Sequence, residues 1–237
     1  MDANRRWEQE PYQTRVSVIV PVLNEAEHIE ACLKSVLSQP SNVELVVVDG
    51  GSTDATLEIA ARYTRVLPSK RGRAVQMNAA AKTATGEVFV FLHGDSVLHP
   101  RALDAMLLAL RDERVAGGTF TLRFDTRHPL LRCYAWFTRL SSRWFRYGDQ
   151  GIFVRRAAWQ RLGGFRELPI LEDVDLLLRL RRVGRLVVVP RPVTTSARRF
   201  RARGVIRQQL INATILAGHT LGISPERLAR WYGVGRG

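Results

Sequence analysis

Cysteine and lysine are scarce in this 237-residue chain, and its start carries no long apolar run. The two cysteines, Cys32 and Cys133, lie far apart and form neither a metal-binding nor a redox spacing. The first 14 residues are polar and contain no apolar stretch of signal-peptide length, so they do not indicate secretion. We therefore expect reduced thiols in a cytoplasmic protein.

The scarcity of lysine makes this an arginine-rich chain. Lys34, Lys70 and Lys82 are the only lysines, so arginine supplies nearly all of the 36 basic residues and of the net charge of +14. Such a charge attracts polyanions, which include nucleotide diphosphates, nucleic acids and anionic lipids. A solvated basic surface explains it equally well. The charge therefore does not select one partner.

The chain also has no segment typical of a membrane-spanning helix. Between Arg207 and Glu226 lie 18 residues without a formal charge, but polar residues interrupt the apolar ones. An amphipathic helix that packs on the domain, or that lies as a peripheral contact on an anionic membrane surface, fits this composition better. We predict a polar extension at 1–14, an α/β domain at 15–200 and a C-terminal amphipathic helical appendage at 201–237.

The first half of the domain alternates between strands and helices. The predicted strands are 16–20, 44–48, 64–67 and 87–92, and the predicted helices are 28–39, a segment around 57–60, and 74–83. This alternation predicts a parallel sheet with right-handed crossovers. After it we predict a helix at 100–110, a strand at 117–124, an aromatic helical segment at 129–145, helices at 157–162 and 173–183, and a late strand at 186–189.

Polar residues follow three of the predicted strands, at the edge where open α/β sheets bind ligands. Asn24 and Glu25 follow the first strand, and Glu25 could accept a hydrogen bond from a base or ribose or cap the next helix. Asp49 ends the second strand before Gly50 and Gly51, which allow a sharp turn and close approach of a ligand. Asp49 is therefore either a ligand contact or a turn aspartate.

Asp95 follows the fourth strand and is the candidate metal ligand. Carboxylate oxygen suits Mg²⁺ or Mn²⁺, and such a metal neutralises a departing diphosphate. The alternative is a loop aspartate that caps the residues after it. His93 could add an imidazole ligand that favours manganese, contact phosphate, or pack under the loop.

Two further clusters carry charge. Arg71 and Arg73 flank Gly72 before a helix, where guanidinium groups would suit a phosphate or simply lie in solvent. Glu172 and Asp173 start a helix, where the dipole favours carboxylates. A catalytic base must face the pocket, and these two residues are better placed for that role than Asp175.

With these motifs in place, the chain resembles family 2 glycosyltransferases of the inverting GT-A class over roughly residues 15–200. The segments 16–23 and 46–54, in this order, carry the resemblance most specifically. It implies a GT-A (nucleotide-diphospho-sugar transferase) fold, a Rossmann-like mixed, mainly parallel central sheet flanked by helices. It also implies direct displacement at the anomeric carbon with inversion, from a UDP-sugar by default, onto an unidentified hydroxyl acceptor. No nucleic acid partner is expected.

The resemblance also assigns roles to residues. It implies that Asp95 binds the metal and that Asp173, beside Glu172, is the base. The implied acceptor-side residues are Gly148, Asp149, Gln150 and Gly151. The implied donor-binding residues are Pro21, Asn24, Glu25, Asp49, Gly50, Ser52, Arg71, Arg73, Asn78, His93 and Gly94.

One position departs from the family pattern. The usual metal motif has two aspartates around one residue, and here His93 stands first and Asp95 second. Segments 93–96, 147–153 and 194–199 are also similar to a short bacterial branch labelled as arsenosugar-biosynthesis-type glycosyltransferases.

Two other classes of protein compete with this interpretation. A nucleotidyltransferase of similar core would be expected to have a glycine-rich, basic loop after its first strand, whereas residues 21–25 are of another kind. A non-catalytic basic module that binds nucleic acid or anionic membrane would not need carboxylates at three strand ends.

Overall fold

A computed structural model describes residues 14–139 and 148–232. Nearly all of the predicted extension at 1–14, and residues 140–147, lie outside the described residues. The strands are β1 (Val16–Val22), β2 (Val43–Asp49), β3 (Val66–Pro68), β4 (Val88–Phe91), β5 (Ser96–Leu98), β6 (Val115–Phe124), β7 (Ile152–Arg155) and β8 (Arg185–Thr195). The helices are α1 (Ile29–Leu37), α2 (Thr56–Ala61), α3 (Arg73–Thr83), α4 (Ala102–Ala109), α5 (Pro129–Phe137), α6 (Arg156–Leu162), α7 (Glu172–Leu180), α8 (Arg198–Arg203), α9 (Val205–Thr220) and α10 (Pro225–Tyr232).

The strands form one mixed sheet in the order β3-β2-β1-β4-β7-β6-β8-β5. The first four strands of that order are parallel, as the strand–helix alternation predicts. Strand β7 then runs antiparallel between β4 and β6, while β6 and β8 pair in parallel. Helices cover both faces of the sheet, which confirms the expected GT-A type of architecture.

Strand β1 shows why the central strands read as continuous apolar runs. It is buried along its whole length because both of its faces are covered. Val18 and Val20 belong to the core that includes Ile29 and Leu33 of α1. Ile19 points to the other side and belongs to the core that includes Met77 of α3.

The parallel register brings the ends of the strands together. Val22 at the end of β1 pairs with Asp49 at the end of β2. The loops that carry Asn24, Ser52 and Asp95 therefore leave the sheet at the same edge. This edge carries the residues of the predicted donor side.

The structure lengthens one predicted strand and adds another. Strand β8 extends from Arg185 to Thr195 rather than ending at Val189, because a register shift between Phe120 and Thr121 of β6 accommodates the proline-containing stretch. Pairing then resumes with Pro192. Strand β5, which has only three residues, was not predicted and pairs antiparallel with β8.

Two helices end earlier than their patterns predict. Helix α7 ends at Leu180 rather than at 183, and α5 ends at Phe137, while residues 140–145 of the predicted aromatic segment lie outside the described residues. The end of α5 is fixed by Thr138, whose hydroxyl donates to the Ala135 carbonyl at 2.6 Å and accepts from the Leu122 amide at 3.2 Å. The aromatic segment is therefore only partly helical in the described part of the chain.

The C-terminal helices pack on the segment that precedes α7. Ile215 of α9 and Leu228 of α10 form a core with Ile170, and Leu171 packs against it. Helix α9 also exposes apolar side chains on its outer face, among them Ile206 at 66%. Within the ranges 14–139 and 148–232, no helix combines the length and the apolar character needed to span a bilayer.

Candidate active site

The turn after β2 is closed by Asp49. Its carboxylate accepts from the amides of Gly51 at 2.8 Å and Ser52 at 3.0 Å, and from the Ser52 hydroxyl. The residue is 5% exposed. This geometry is that of the turn aspartate, and the contact of Asp49 with a nucleotide stays a prediction.

Asn24 joins the loop after β1 to the same turn. Its backbone has a positive φ of 55°, a conformation that asparagine tolerates better than most residues. Its side-chain oxygen accepts from the Thr53 amide at 2.8 Å, and its own amide donates to the Ser52 hydroxyl at 2.9 Å. Asn24 and Ser52 thus hold two donor-side loops in fixed relation.

Gln76 is a residue of this side that the sequence did not reveal. Its amide nitrogen donates to the carbonyls of Val22 and Val48, both at 2.9 Å, from a fully buried position in α3. A Cβ on Gly50 would lie 3.0 Å from the Gln76 side chain, so the turn needs glycine there. Gln76 is one of several polar residues in the alanine-rich helix α3, and no sequence motif marks it as the residue that makes this bridge. Pro21 lies buried within β1 beside it.

Arg198 connects the far end of the domain to the donor side. Its guanidinium donates to both carboxylate oxygens of Glu25, one of them at 2.7 Å, and one of its nitrogens lies 3.4 Å from Asp95. Gly94 allows this approach, because a Cβ there would lie 3.2 Å from Glu25 Cγ. Three charged groups, two from loops and one from the start of α8, therefore meet at one point.

Asp95 has the chemistry of a single metal ligand. Among the described residues, the hydroxyls of Ser96 at 3.3 Å and Thr195 at 3.4 Å donate weakly to its carboxylate, and Arg198 lies 3.4 Å from it. The described part of the chain contains no group of three His, Cys, Asp or Glu side chains arranged to hold a metal. A cation bound through Asp95 would complete its coordination with water and substrate oxygens, and the residues present fit that arrangement.

His93 faces the acceptor side. Its Nδ1 lies 3.4 Å from Asp149 Oδ1, in the short 3-10 turn at Gly148–Gln150. Desolvation raises the pKa of Asp149, but the hydrogen bond from His93 and the charges of Arg199 and Arg73 outweigh it, so its pKa lies well below the usual range. Asp149 therefore stays ionised at neutral pH.

Gln150 and Gly151 support that turn from within. Gln150 is fully buried, and Gly151 has a positive φ of 65° directly before β7. Both residues are therefore placed to shape the acceptor side.

The two acidic residues at the start of α7 differ in their surroundings. Glu172 is only 2% exposed and pairs with Arg73 at 2.8 Å. Its burial raises its pKa against the lowering effect of Arg73. Asp173 accepts from the Val174 amide at 2.8 Å and also lines a cavity, which Glu172 does not. Only Asp173 is thus placed to meet a second substrate.

The neighbouring residues explain why Asp175 is not a candidate base. Its carboxylate pairs with Arg179 at 2.7 Å and with Arg166 at 3.2 Å.

Leu171, just before α7, has a positive φ of 63°. Such strain in a residue with a bulky side chain persists only where packing holds it, and it is found at functional sites.

The cavity beside Asp173 has a volume of about 120 Å³. Its lining comes from α3, α5, α7, α8, α9, α10 and the loops between them. The lining residues are Arg73, Tyr134, Asp149, Ile170, Leu171, Asp173, Arg199, Phe200, Gln208, Asn212, Ile215, Leu216 and Tyr232. The sequence did not predict that the C-terminal helices contribute to this cavity.

Some predicted donor residues have other surroundings. The side-chain amide of Asn78 makes two hydrogen bonds to the backbone of Phe165. Its nitrogen donates to the Phe165 carbonyl and its oxygen accepts from the Phe165 amide, both at 2.9 Å. Arg73 pairs with Glu172, and Arg71 lies exposed in the preceding loop. Donor contacts of Asn78, Arg71 and Arg73 stay predictions.

Comparison with known proteins places this geometry in a family context. Glycosyltransferase AglE of Haloferax volcanii is 37% identical over 172 residues, which cover 67% of this chain and 54% of that protein. A solved structure of the mannosyltransferase PcManGT from Pyrobaculum calidifontis, in complex with GDP-Man and Mn²⁺, superposes with a TM-score of 0.65 at 25% identity and covers 80% of this chain and 61% of that one.

A third relative is similar in fold alone. S. aureus TarS in complex with UDP-GlcNAc superposes with a TM-score of 0.64 at 22% identity, over 77% of this chain and 58% of that one. The chain spans less than two thirds of the length of each of these three proteins. Residues 17–161 match the family described as "Glycosyl transferase family 2". The chain therefore belongs to glycosyl transferase family 2.

Proposed function

We propose that the chain is an inverting glycosyltransferase that moves a sugar from a nucleotide-diphosphate donor to a hydroxyl acceptor. One observation carries this proposal: Asp173 opens into a cavity of its own, while Asp95 and Glu25 lie at the edge of the sheet where the strands end. Family membership favours this function over a nucleotidyltransferase or a non-catalytic basic module. The similarity to one bacterial branch, labelled for arsenosugar biosynthesis, stays a prediction.

The reaction needs one proton acceptor and one leaving group. Asp173 takes the proton of the acceptor hydroxyl as its oxygen attacks the anomeric carbon. The new carbon–oxygen bond forms while the bond from that carbon to the phosphate oxygen breaks, and its electron pair goes to the diphosphate. Attack from the face opposite to the leaving group inverts the configuration at the carbon.

Glu172 acts by positioning rather than by proton transfer. It is buried against Arg73 and lies outside the lining of the cavity. Its ion pair connects the start of α7 to the start of α3, and so holds Asp173 at the cavity. Arg198 supplies positive charge between Glu25 and Asp95, where a diphosphate is expected.

A divalent metal fits the donor side, with Asp95 as its protein ligand. When bound there, Mg²⁺ or Mn²⁺ would neutralise charge on the departing diphosphate. Mn²⁺ accompanies GDP-Man in the structure of PcManGT, which supports the choice of a divalent ion. The related structures contain GDP-Man or UDP-GlcNAc, so a UDP-sugar remains our default and GDP-sugars the first alternative.

A peripheral contact with anionic membrane is proposed for the outer face of α9, on the cytoplasmic side. Ile206 and Leu210 are exposed there at 66% and 64%, with Arg203 and Arg207 beside them. Apolar residues flanked by arginine suit an anionic lipid surface. Flotation with anionic vesicles at low salt, lost at high salt, is the expected result, and equal flotation with neutral vesicles would contradict it.

The test of the proposed function is thermal stability with a panel of nucleoside diphosphates, each with and without Mn²⁺. A ligand that binds the folded state at a concentration of 100 times its Kd adds about 2.7 kcal/mol to the free energy of unfolding. We expect one nucleotide to raise the melting temperature selectively. Stabilisation by polyanions alone would instead favour the basic binding module.

A further inference from the structure

The cavity beside Asp173 is closed on one side by the C-terminal helices. Asn212 of α9 and Tyr232 at the end of α10 line it together with Asp173 and Arg199. These helices are held in place by the core of Ile215 and Leu228 with Ile170. Helices α9 and α10 thus build a wall of this cavity.

We propose that this cavity is the acceptor site and that it takes a neutral, ring-sized polyol, such as a pyranose or a cyclitol; this inference rests on the proposed function. The volume of about 120 Å³ is close to that of cavities that hold one six-membered ring.

The charges of the lining point to a neutral ligand. Arg73 and Arg199 balance Asp149 and Asp173, so the lining has no net charge. Arg73 is in addition neutralised by Glu172 at 2.8 Å, which leaves an acidic balance near the base. An anionic acceptor would therefore be repelled by two carboxylates.

The polar groups of the wall point to a ligand with several hydroxyls. Gln208 is 1% exposed, and its amide donates to the Asn212 side-chain oxygen at 2.8 Å. This bond fixes the orientation of the Asn212 amide, and no residue in the described ranges accepts from its nitrogen. Its two N–H donors are therefore available to acceptor oxygens, and a purely apolar ligand would bury them unpaired, which is costly.

Aromatic side chains complete the cavity. Tyr134, Phe200 and Tyr232 contribute flat surfaces from α5, α8 and α10. Apolar and aromatic walls with a few placed polar groups are typical of small-molecule sites. A polyol ring offers both a carbon face for the aromatic side chains and hydroxyls for the amide and for Asp173.

The experiment measures release of nucleoside diphosphate by the full chain, with the donor that the stability panel identifies. The acceptor panel contains methyl pyranosides and myo-inositol, with glycerate as the anionic and a long-chain alcohol as the apolar comparison. We expect ring polyols to raise release above the rate in water. Preference for glycerate or the alcohol, or no rise with any ring polyol, would overturn the inference.

Two variants test whether the wall formed by the C-terminal helices is responsible for the response to ring polyols. Asn212→Leu removes the amide at nearly constant size and should raise the KM for the ring polyol about tenfold, the effect of one lost hydrogen bond. Thr214→Val makes a similar change on the exposed face of α9 and should leave that KM unchanged. Thr214→Val should also leave donor KM and donor hydrolysis in water unchanged.

These readouts separate the two proposals. A rise in donor KM, rather than acceptor KM, in Asn212→Leu would mean that the cavity holds the donor sugar and would overturn the acceptor assignment. Release of nucleoside diphosphate in water with no response to ring polyols would defeat the inference and leave the proposed function standing. A wild-type chain that turns over no nucleotide sugar would defeat both.

Discussion

On the proposed donor side, Asp49 and Asn24 are held by backbone amides and a hydroxyl of one turn, whereas on the proposed acceptor side Arg73 holds Glu172 and His93 holds Asp149 from other elements. Hydrogen bonds to the backbone amides of a turn form when the turn itself forms. Charged pairs between elements depend on the packing of the whole domain and on pH. The comparison teaches that one turn of the proposed donor half is held locally, whereas the proposed acceptor half, like the Arg198–Glu25 pair of the donor half, is held by contacts between distant elements.

The largest expected effect is on turnover, and it tests whether the acceptor half and the donor half have separate functions. Asp173→Asn should lower the rate of transfer by about 10²- to 10⁴-fold, the usual contribution of a general base, and leave donor affinity nearly unchanged. Turnover and nucleoside diphosphate binding are measured on the same preparation. Asp175→Asn, which changes an ion-paired acid of the same helix, should keep turnover near the wild-type value.

A loss of donor affinity equal to the loss of turnover in Asp173→Asn would remove Asp173 from the role of base. It would also show that the acceptor half is not separate from the donor half in function.

The second effect concerns the metal and belongs to the donor half. Asp95→Ala should weaken nucleoside diphosphate binding at least tenfold in the presence of Mn²⁺ and much less in its absence. Because Asp95 is the single protein ligand proposed, Mn²⁺ alone should not shift the melting temperature of the wild type. Asp112→Ala, in the turn between α4 and β6, serves as the control. Metal-independent binding by the wild type would contradict the assignment.

A third, smaller effect tests the rigidity of the donor half. Gln76→Met removes the two buried hydrogen bonds to the carbonyls of Val22 and Val48, each worth about 0.5–1.5 kcal/mol, while the Val22 carbonyl still accepts from the Gly50 amide at 3.0 Å. We expect a lower free energy of unfolding in urea and a raised donor KM, with the acceptor KM unchanged. Gln160→Met, on the exposed side of α6, should change neither. A raised acceptor KM in Gln76→Met would contradict the separation between the donor half and the acceptor half.

The smallest effect is a pH dependence on the acceptor side. The pKa of Asp149 lies below its usual range in the folded protein, so the ionised carboxylate stabilises the fold above that range and this stabilisation is lost as pH falls through the folded pKa. Asp149→Asn should therefore be less stable than the wild type at neutral pH. The difference in urea midpoint should shrink as pH falls below about 4. A difference that does not change with pH would point to packing instead of charge.

The donor half could largely be predicted from the sequence, and the reasons are local. Strand β1 is apolar because both of its faces are buried, and the polar loop after it is therefore easy to place. Asp49 and Asn24 lie within a few residues of the strands that position them. Gln76 could not be found in this way, because its partners are carbonyl groups, which leave no trace in side-chain patterns.

The acceptor half could be predicted only in part. The acids at the start of α7 were visible, but Asn212 and Tyr232 meet Asp173 through the packing of α9 and α10 on Ile170. Such contacts depend on which faces of the helices are buried, and the apolar residues on both faces of α9 leave that choice open in the sequence. The full length of β8 could not be predicted either, because prolines usually end a strand. Here a bulge in the pairing of β8 with β6 accommodates them.

The pair of Arg198 with Glu25 joins residues that are 173 positions apart. A chain emerging from the ribosome makes Glu25 long before Arg198, so this bidentate contact can close only after nearly the whole domain has been synthesised. Contacts of such long sequence separation slow folding, because a large loop must be closed first. A truncated chain that ends before Arg198 would leave Glu25 without this partner, and we expect the nucleotide-facing loops to be the last part of the domain to acquire their native arrangement.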